Sequence, residues 1–353
     1  MTPKPWFFVC GTRPELIKLR PILKEFQKRS LPFTVTFTGQ HDTLAAQTGF
    51  LDEFAVTALH LPSANDPLAY ADACLTALLT SQDPKGIRGV IVQGDTASAL
   101  AGGRYARQTR LPLAHVEAGL RSHSLEDPWP EERFRTELDR NATWLFAPTP
   151  LAYKNLQSMR SYRKLAHVWL VGNTVVDALL QSGIRPATPD ERMDRVLVTL
   201  HRRESFGEPL VHIIGGLVRA AIMHPRTIFE WPVHPNPEVA KALAGTHLLE
   251  NIRCTGPMEY KAFLGTLATS RAVLTDSGGV VEEAATLGVP CAIARDRTER
   301  QDAIHAGLAL LAGRTSDSVA TAIDWALHTT VSPSNTFGDG HAASRIADVL
   351  QNA

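Results

Sequence analysis

The chain has 353 residues, with 36 basic against 36 acidic side chains, and is 44% hydrophobic but only 20% charged. That balance excludes a disordered chain and provides no basic face of the kind nucleic-acid binding requires. The length exceeds one ordinary core and fits two α/β domains.

No apolar run reaches the roughly 18 residues of a membrane span, so no membrane association is expected. The opening MTPKPWFFVCG reads as a first strand running into a Gly turn, not as a signal peptide. Cys10, Cys74, Cys254 and Cys291 lie far apart with no CxxC spacing. They are expected to be buried free thiols, which suits a reducing cytoplasm.

Short apolar runs alternate with longer amphipathic stretches. Residues 5–11 (PWFFVCG), 33–39 (FTVTFTG), 89–95 (GVIVQGD) and 111–117 (LPLAHVE) are predicted strands that end in Gly or a carboxylate. Helices are predicted over 15–30, 64–81 and 98–109. A second series follows 167–173 (HVWLVGN), with strands at 195–201, 227–234, 251–256, 272–279 and 290–296. The rhythm predicts parallel sheets with helices on both faces. Two doubly wound, Rossmann-like domains are expected, at 1–172 and 173–335. A last helix within 336–353 is expected to return to the first domain.

In such sheets ligands collect at the carboxyl ends of the strands. Those ends carry Gly11-Thr12-Arg13, Gly94-Asp95, His115-Val116-Glu117, His201-Arg202-Arg203, His234 and Asp276-Ser277-Gly278-Gly279. AVLTDSGGVVEEA reads as a buried strand, a Ser-Gly-Gly turn and a helix, a combination that suits a diphosphate. It is neither a Walker A loop nor a GxGxxG fingerprint. Glu282 and Glu283 are read as first-turn carboxylates, either of which could accept from ribose hydroxyls. In GTRPELIKLRP, Pro14 opens a helix, and Arg13 and Lys18 are placed to face a phosphate at its N-terminus.

Residues 115–140, HVEAGLRSHSLEDPWPEERFRTELDR, crowd acids and arginines around Pro-Trp-Pro. Asp95, Glu117 and Glu131 read as proton-transfer carboxylates, and His201 as a donor to developing phosphate charge. For each one singly, an N-cap or a salt bridge is the competing reading. The histidines lack metal-ligand spacing, so no metal is expected.

GTRPE, TGQH, QGDTAS, HVEAGLRS…PWPEE, VGNTVVDA, LHRRESFG, PVHPNP, TDSGGVVEEA and RDRTER run in that order through the chain. With them the chain resembles the bacterial UDP-N-acetylglucosamine 2-epimerases of the non-hydrolysing type, over about residues 7–312. The resemblance implies a glycosyltransferase-B-like fold with the active site in the interdomain cleft, no added cofactor, and a cytoplasmic homodimer. It implies interconversion of UDP-GlcNAc and UDP-ManNAc through loss and return of UDP across 2-acetamidoglucal, for cell-surface polysaccharide. Matched residue by residue, Asp95, Glu117, Glu131 and His201 would be catalytic. Arg13, Lys18, Ser277, Gly278 and Gly279 would hold the nucleotide and phosphates, with Glu283 at the ribose, Phe263 at the uracil region and Arg300 at the rim, and Arg135 would bind substrate. Gln40, His41, Arg203 and His234 would serve a second, regulatory UDP-GlcNAc.

Phe134, Met258 and Gln301 depart from the family pattern, which bears on substrate choice more than on reaction type. A hydrolysing 2-epimerase, an epimerase of another UDP-2-acetamido sugar and a glycosyltransferase of the same architecture stay open as alternatives. A non-catalytic sensor would be expected to lose one of the four catalytic residues, and none is lost.

Overall fold

The computed structural model describes residues 3–39, 53–62, 64, 66–160 and 166–353. Two compact units emerge, one of residues 1–178 and 338–353, the other of residues 179–337. Gln40 and His41 lie outside the described residues.

The first unit runs β1 (Trp6–Cys10), α1 (Arg13–Lys28), β2 (Phe33–Phe37), β3 (Val56–Ala58), α2 (Pro67–Ser81), β4 (Gly89–Gln93) and α3 (Ala97–Thr109). It continues through β5 (Leu113–Val116), α4 (Glu131–Asn141), β6 (Trp144–Ala147), α5 (Pro150–Arg160), β7 (His167–Leu170) and α6 (Thr174–Gln181). Its seven strands form one parallel sheet in the order β3-β2-β1-β4-β5-β6-β7. All five residues of β1 are buried, as a parallel strand covered on both faces requires. Alternation decides which face each residue serves. Phe7 and Val9 join one core, with Tyr105 edge-on to Phe7 at 5.7 Å. Trp6, Phe8 and Cys10 join the other, with Phe26 edge-on to Phe8 at 5.4 Å.

The second unit runs β8 (Met193–Thr199), α7 (Glu208–Met223), β9 (Ile228–Pro232), α8 (Pro237–Ala244), β10 (Ile252–Thr255), α9 (Tyr260–Ala268) and β11 (Ser270–Thr275). After these come α10 (Gly278–Leu287), β12 (Cys291–Ile293), α11 (Gln301–His305), β13 (Ala309–Leu311) and α12 (Ser316–His328). Its parallel sheet has the order β10-β9-β8-β11-β12-β13.

The final helix α13 (Ala342–Gln351) belongs to the first unit, where Ala343, Ile346, Ala347 and Leu350 enter the core beside Trp6 and Phe8. The first unit extends past the Gly172 junction for a local reason. Asp177 of α6 accepts from the backbone N–H groups of Ala342 (3.3 Å) and Ala343 (2.9 Å), which open α13. A carboxylate at a helix N-terminus satisfies donors that no carbonyl can reach.

The strands β3, β6 and β13 were not expected; each has only three or four residues. Helix α2 starts at Pro67 rather than residue 64, because Asp66 accepts from the Leu68 N–H at 2.9 Å and caps it. Of the four free cysteines three are buried, but Cys254, on the edge strand β10, is exposed. No helix among the described residues is long and apolar enough to cross a membrane. No group of His, Cys, Asp and Glu among them could hold a metal ion.

Candidate functional site

In each unit the strand order reverses between two neighbours, β1 and β4 in the first, β8 and β11 in the second. Loops leaving such strands diverge and expose their backbone, which is why ligands settle there.

In the first unit, Thr12 caps α1, and Glu15 completes a capping box with it. Glu15 is buried and gathers four donors. They are Gly11 N (3.0 Å), Thr12 N (2.7 Å), Thr12 Oγ1 (2.8 Å) and, from the β4 side, Thr96 Oγ1 (2.7 Å). Burial pushes its carboxyl up to about 7, against the pull of those hydrogen bonds. Arg13 is the first residue of α1, half-buried, with no hydrogen bond or ion pair among the described residues.

Glu117 follows β5 and adopts a left-handed backbone with φ of +68°. That conformation is costly for a residue with a side chain and persists only where its surroundings impose it. Here three side chains do so. Glu117 Oε2 accepts from Lys18, from Gln93 Nε2 (2.8 Å) and from Asn173 Nδ2 (3.2 Å). Lys18, expected to face a phosphate, is buried and ion-paired with Glu117. A buried ammonium needs such a countercharge.

Asp95 follows β4, the neighbour of β5, and its Oδ2 takes Arg135 Nε (2.9 Å) and Nη2. Arg135 Nη1 also reaches Glu132 Oε2 at 2.5 Å, and Glu132 accepts from Ser122 N at 3.0 Å. Arg135, expected to bind substrate, is 2% exposed and donates to Asp95. Glu131 opens α4 one turn before Arg135, on the same face of the helix.

In the second unit, Asp276 follows β11 and is fully buried. Its Oδ2 accepts from His201 N (2.8 Å) and Arg202 N (2.9 Å), while Oδ1 lies 3.3 Å from His201 Nδ1. The carboxylate fixes both the loop and the ring, leaving His201 Nε2 without a hydrogen bond among the described residues. The His201 side chain is 40% exposed. The His234 ring stacks on it, 5.7 Å between centroids at 21°. Ser277 caps α10 by backbone position, and Gly278 and Gly279 form the first turn, whose N–H groups have no helical partner.

A Cβ on Gly279 would meet nothing within 4 Å, so that residue leaves open space at the helix end. Gly278 is glycine for another reason: a Cβ there would lie 2.6 Å from Arg300 Cζ. Arg300, expected at a rim, is 4% exposed, with Nε donating to Glu282 Oε1 at 2.9 Å and Nη1 to Glu299. Two buried carboxylates pull it inward. Glu282 and Glu283 are the fifth and sixth residues of α10, past its first turn. Glu283 is buried and accepts from the Tyr260 hydroxyl at 2.8 Å. Phe263, one turn along α9 from Tyr260, is half-buried. Arg203 is exposed.

Sequence reasoning missed Gln93, Asn173, Asp276 and Tyr260 as partners, and Glu15 altogether. Each partnership joins positions tens of residues apart, and only the strand-end location of Gln93 and Asp276 hinted at it.

A family model described as UDP-N-acetylglucosamine 2-epimerase matches residues 24–351. The chain is 33% identical to a UDP-N-acetylglucosamine 2-epimerase of Yersinia pestis, across 98% of this chain and 97% of that one. Among solved structures it is similar to the UDP-GlcNAc 2-epimerase from Neisseria meningitidis bound to UDP-GlcNAc, with a TM-score of 0.88 and 30% identity over 99% of this chain and 100% of that one. It is similar also to the Methanocaldococcus jannaschii UDP-GlcNAc 2-epimerase in complex with UDP-GlcNAc and UDP, with a TM-score of 0.85 and 30% identity over 99% and 100% of the two chains.

Proposed function

Because the chain belongs to the UDP-N-acetylglucosamine 2-epimerase family, we propose that it interconverts UDP-GlcNAc and UDP-ManNAc. The observation that carries this reading is the clamped Glu117 carboxylate, in a chain alike along its whole length to proteins named for this reaction.

The sugar C2 proton is too weakly acidic to be removed alone, so its departure is coupled to loss of UDP. A carboxylate takes the C2 proton, the C1–O bond breaks with its electron pair leaving on UDP, and a C1=C2 double bond forms. Return of UDP to C1 with a proton delivered to the other face of C2 gives the epimer. Two faces need two proton-transfer groups, which accounts for more than one carboxylate among Asp95, Glu117 and Glu131. Lys18 and Arg135 hold two of these in place, so the acids meet the sugar in fixed positions.

The departing diphosphate meets His201, braced by Asp276, and the N-terminal turn of α10 with Ser277, Gly278 and Gly279. Arg13 adds a cation. Glu283, set by Tyr260, serves the ribose, and Phe263 the uracil face. Arg300 braces α10 through Glu282. For a second UDP-GlcNAc, His234 is the informative residue: its stacking on His201 would couple a regulatory ligand directly to the leaving-group site. Cytoplasmic residence, a homodimer, and no nucleic-acid or membrane partner complete the proposal.

Proton NMR of the protein with UDP-GlcNAc in heavy water tests it. UDP-ManNAc carrying deuterium at C2 is the expected product. Free ManNAc with UDP would assign a hydrolysing epimerase, and unchanged UDP-GlcNAc with no C2 exchange would defeat the reading.

A further inference from the structure

Helix α4 carries Glu131, Arg135 and Asp139 at intervals of four, which puts all three on one face. Glu131 and Arg135 have roles above; Asp139 has none. Asp139 Oδ1 lies 2.7 Å from His115 Nδ1, and Oδ2 accepts from Gly119 N at 3.1 Å and from Arg121 Nη2 at 2.6 Å. His115 Nε2 lies 2.8 Å from the carbonyl oxygen of Gly94. That oxygen can only accept, so Nε2 carries a hydrogen, and Nδ1 faces a carboxylate. The His115 and Asp139 side chains are fully buried. Burial, the largest influence on Asp139, raises its carboxyl, but Arg121 and His115 together bring it below the ordinary carboxylate range.

Burying an acid, an imidazole and part of a guanidinium is expensive where apolar packing would serve stability as well. What distinguishes this group is where its ends land. Gly94, held at φ of +68°, immediately precedes Asp95, and Gly119 lies two residues after Glu117. We propose that Asp139 and His115 form a buried positioning relay by which α4 sets the Gly94–Asp95 peptide and the loop leaving Glu117. One helix then fixes the whole acid–base set: Glu131 from its first turn, Asp95 through Arg135, and the backbone beside Asp95 and Glu117 through Asp139. His115 and Asp139 touch no substrate; they act through the carboxylates.

This inference rests on the epimerase reading, and the experiment separates the two. His115→Gln, Asp139→Asn and Asp95→Asn are measured singly, and the first two also in combination with the third, for kcat, KM for UDP-GlcNAc, UDP affinity and melting temperature. Each relay variant should lose about 10- to 100-fold in kcat, the scale set by ångström-level misplacement of a reacting group. KM and UDP affinity should stay within about twofold. The His115→Gln/Asp95→Asn double should be no slower than Asp95→Asn alone, because His115 reaches the acids through Gly94 beside Asp95, whereas the Asp139→Asn double should be slower, since Asp139 also holds Gly119 in the loop leaving Glu117. A multiplicative loss in the His115→Gln double, or a loss that appears in KM and UDP affinity instead of kcat, would overturn the relay. If His115→Gln fails to fold, Asp139→Asn alone, which keeps shape and one acceptor, still reads whether the loss falls in kcat or in KM and UDP affinity. Wild-type protein that forms no UDP-ManNAc would remove the epimerase reading and the relay with it. Wild-type protein that epimerises beside fully active relay variants would remove the relay alone.

Discussion

In the first unit β1 and β4 flank the reversal of strand order, and in the second β8 and β11 do. The residues that follow these strands are of different kinds. After β1, β4 and β5 come Glu15, Asp95 and Glu117, and the nearby cations Lys18 and Arg135 are paired with the last two. After β8 and β11 come His201 and the Ser-Gly-Gly turn, and the carboxylate that precedes that turn, Asp276, points into backbone N–H groups. The arginine nearest that turn, Arg300, is turned inward by Glu282 and Glu299. One topology therefore serves two purposes. The first unit holds anionic groups rigid with buried cations; the second presents helix N–H groups and an imidazole, which the proposed function gives to an incoming anion. A proton-transfer group has to be fixed to within a fraction of an ångström, whereas a diphosphate can be met by dipoles.

The strongest way to sharpen this division is Glu117→Gln. Turnover should fall by about 100- to 10,000-fold, the range of general acid–base contributions. UDP affinity, read by calorimetry, should hold, since none of the groups assigned to UDP in the second unit changes. Lys18 would lose its buried countercharge, so melting temperature should fall as well, by the equivalent of about 3–5 kcal/mol. UDP binding lost together with turnover would mean that the division of labour is wrong.

Asp276→Asn probes the other side with a smaller effect. The amide keeps an acceptor for the His201 and Arg202 N–H groups but places a donor near His201 Nδ1. A wrongly oriented ring should cost about 10- to 100-fold in turnover. Unlike Glu117→Gln, this variant should also weaken UDP binding. Turnover loss with UDP affinity intact would move His201 from leaving-group stabilisation to proton transfer.

The strand ends were legible in the sequence because a buried parallel strand is a continuous apolar run, and its first polar residue marks the loop. That is how Asp95, Glu117, His201 and the Ser-Gly-Gly turn read as strand-end residues, and each does follow its strand. The strands β3, β6 and β13 were missed because runs of three or four residues show no periodicity, and β6 sits just before Pro148 and Pro150. What the sequence did not show at the site concerns cations. Lys18 reads as a phosphate-facing residue from its place one turn into α1, and Arg135 and Arg300 are assigned to substrate by the resemblance alone; the ion pairs that each makes are a separate feature. Their partners, Glu117, Asp95 and Glu282, are 99, 40 and 18 residues away, distances at which no pattern in one sequence reports a pairing. Glu15 was invisible for a different reason: inside GTRPE it reads as an ordinary first-turn acid. Only the structure adds the Thr96 hydroxyl and complete burial.

Glu15 gives an effect of another kind, on stability, and places it in one unit. Its carboxyl is raised from an ordinary 4.5 to about 7, chiefly by burial, and Asp177, also in the first unit, is raised from 3.8 to about 6 by the same cause. Both groups bind a proton more tightly folded than unfolded. Their contribution to stability is complete below the unfolded values and is lost as pH rises through about 6 for Asp177 and about 7 for Glu15. For Glu15 the shift corresponds to roughly 3 kcal/mol across that window. Melting temperature should therefore decline from about pH 5 to about pH 8, and Glu15→Gln, neutral throughout, should flatten the decline. Asp177→Asn should flatten its lower part only. A slope unchanged by Glu15→Gln would show that the four donors around the carboxylate outweigh its burial and keep it ionised, which would make the first unit's switch point a set of fixed negative charges at every pH where the enzyme works.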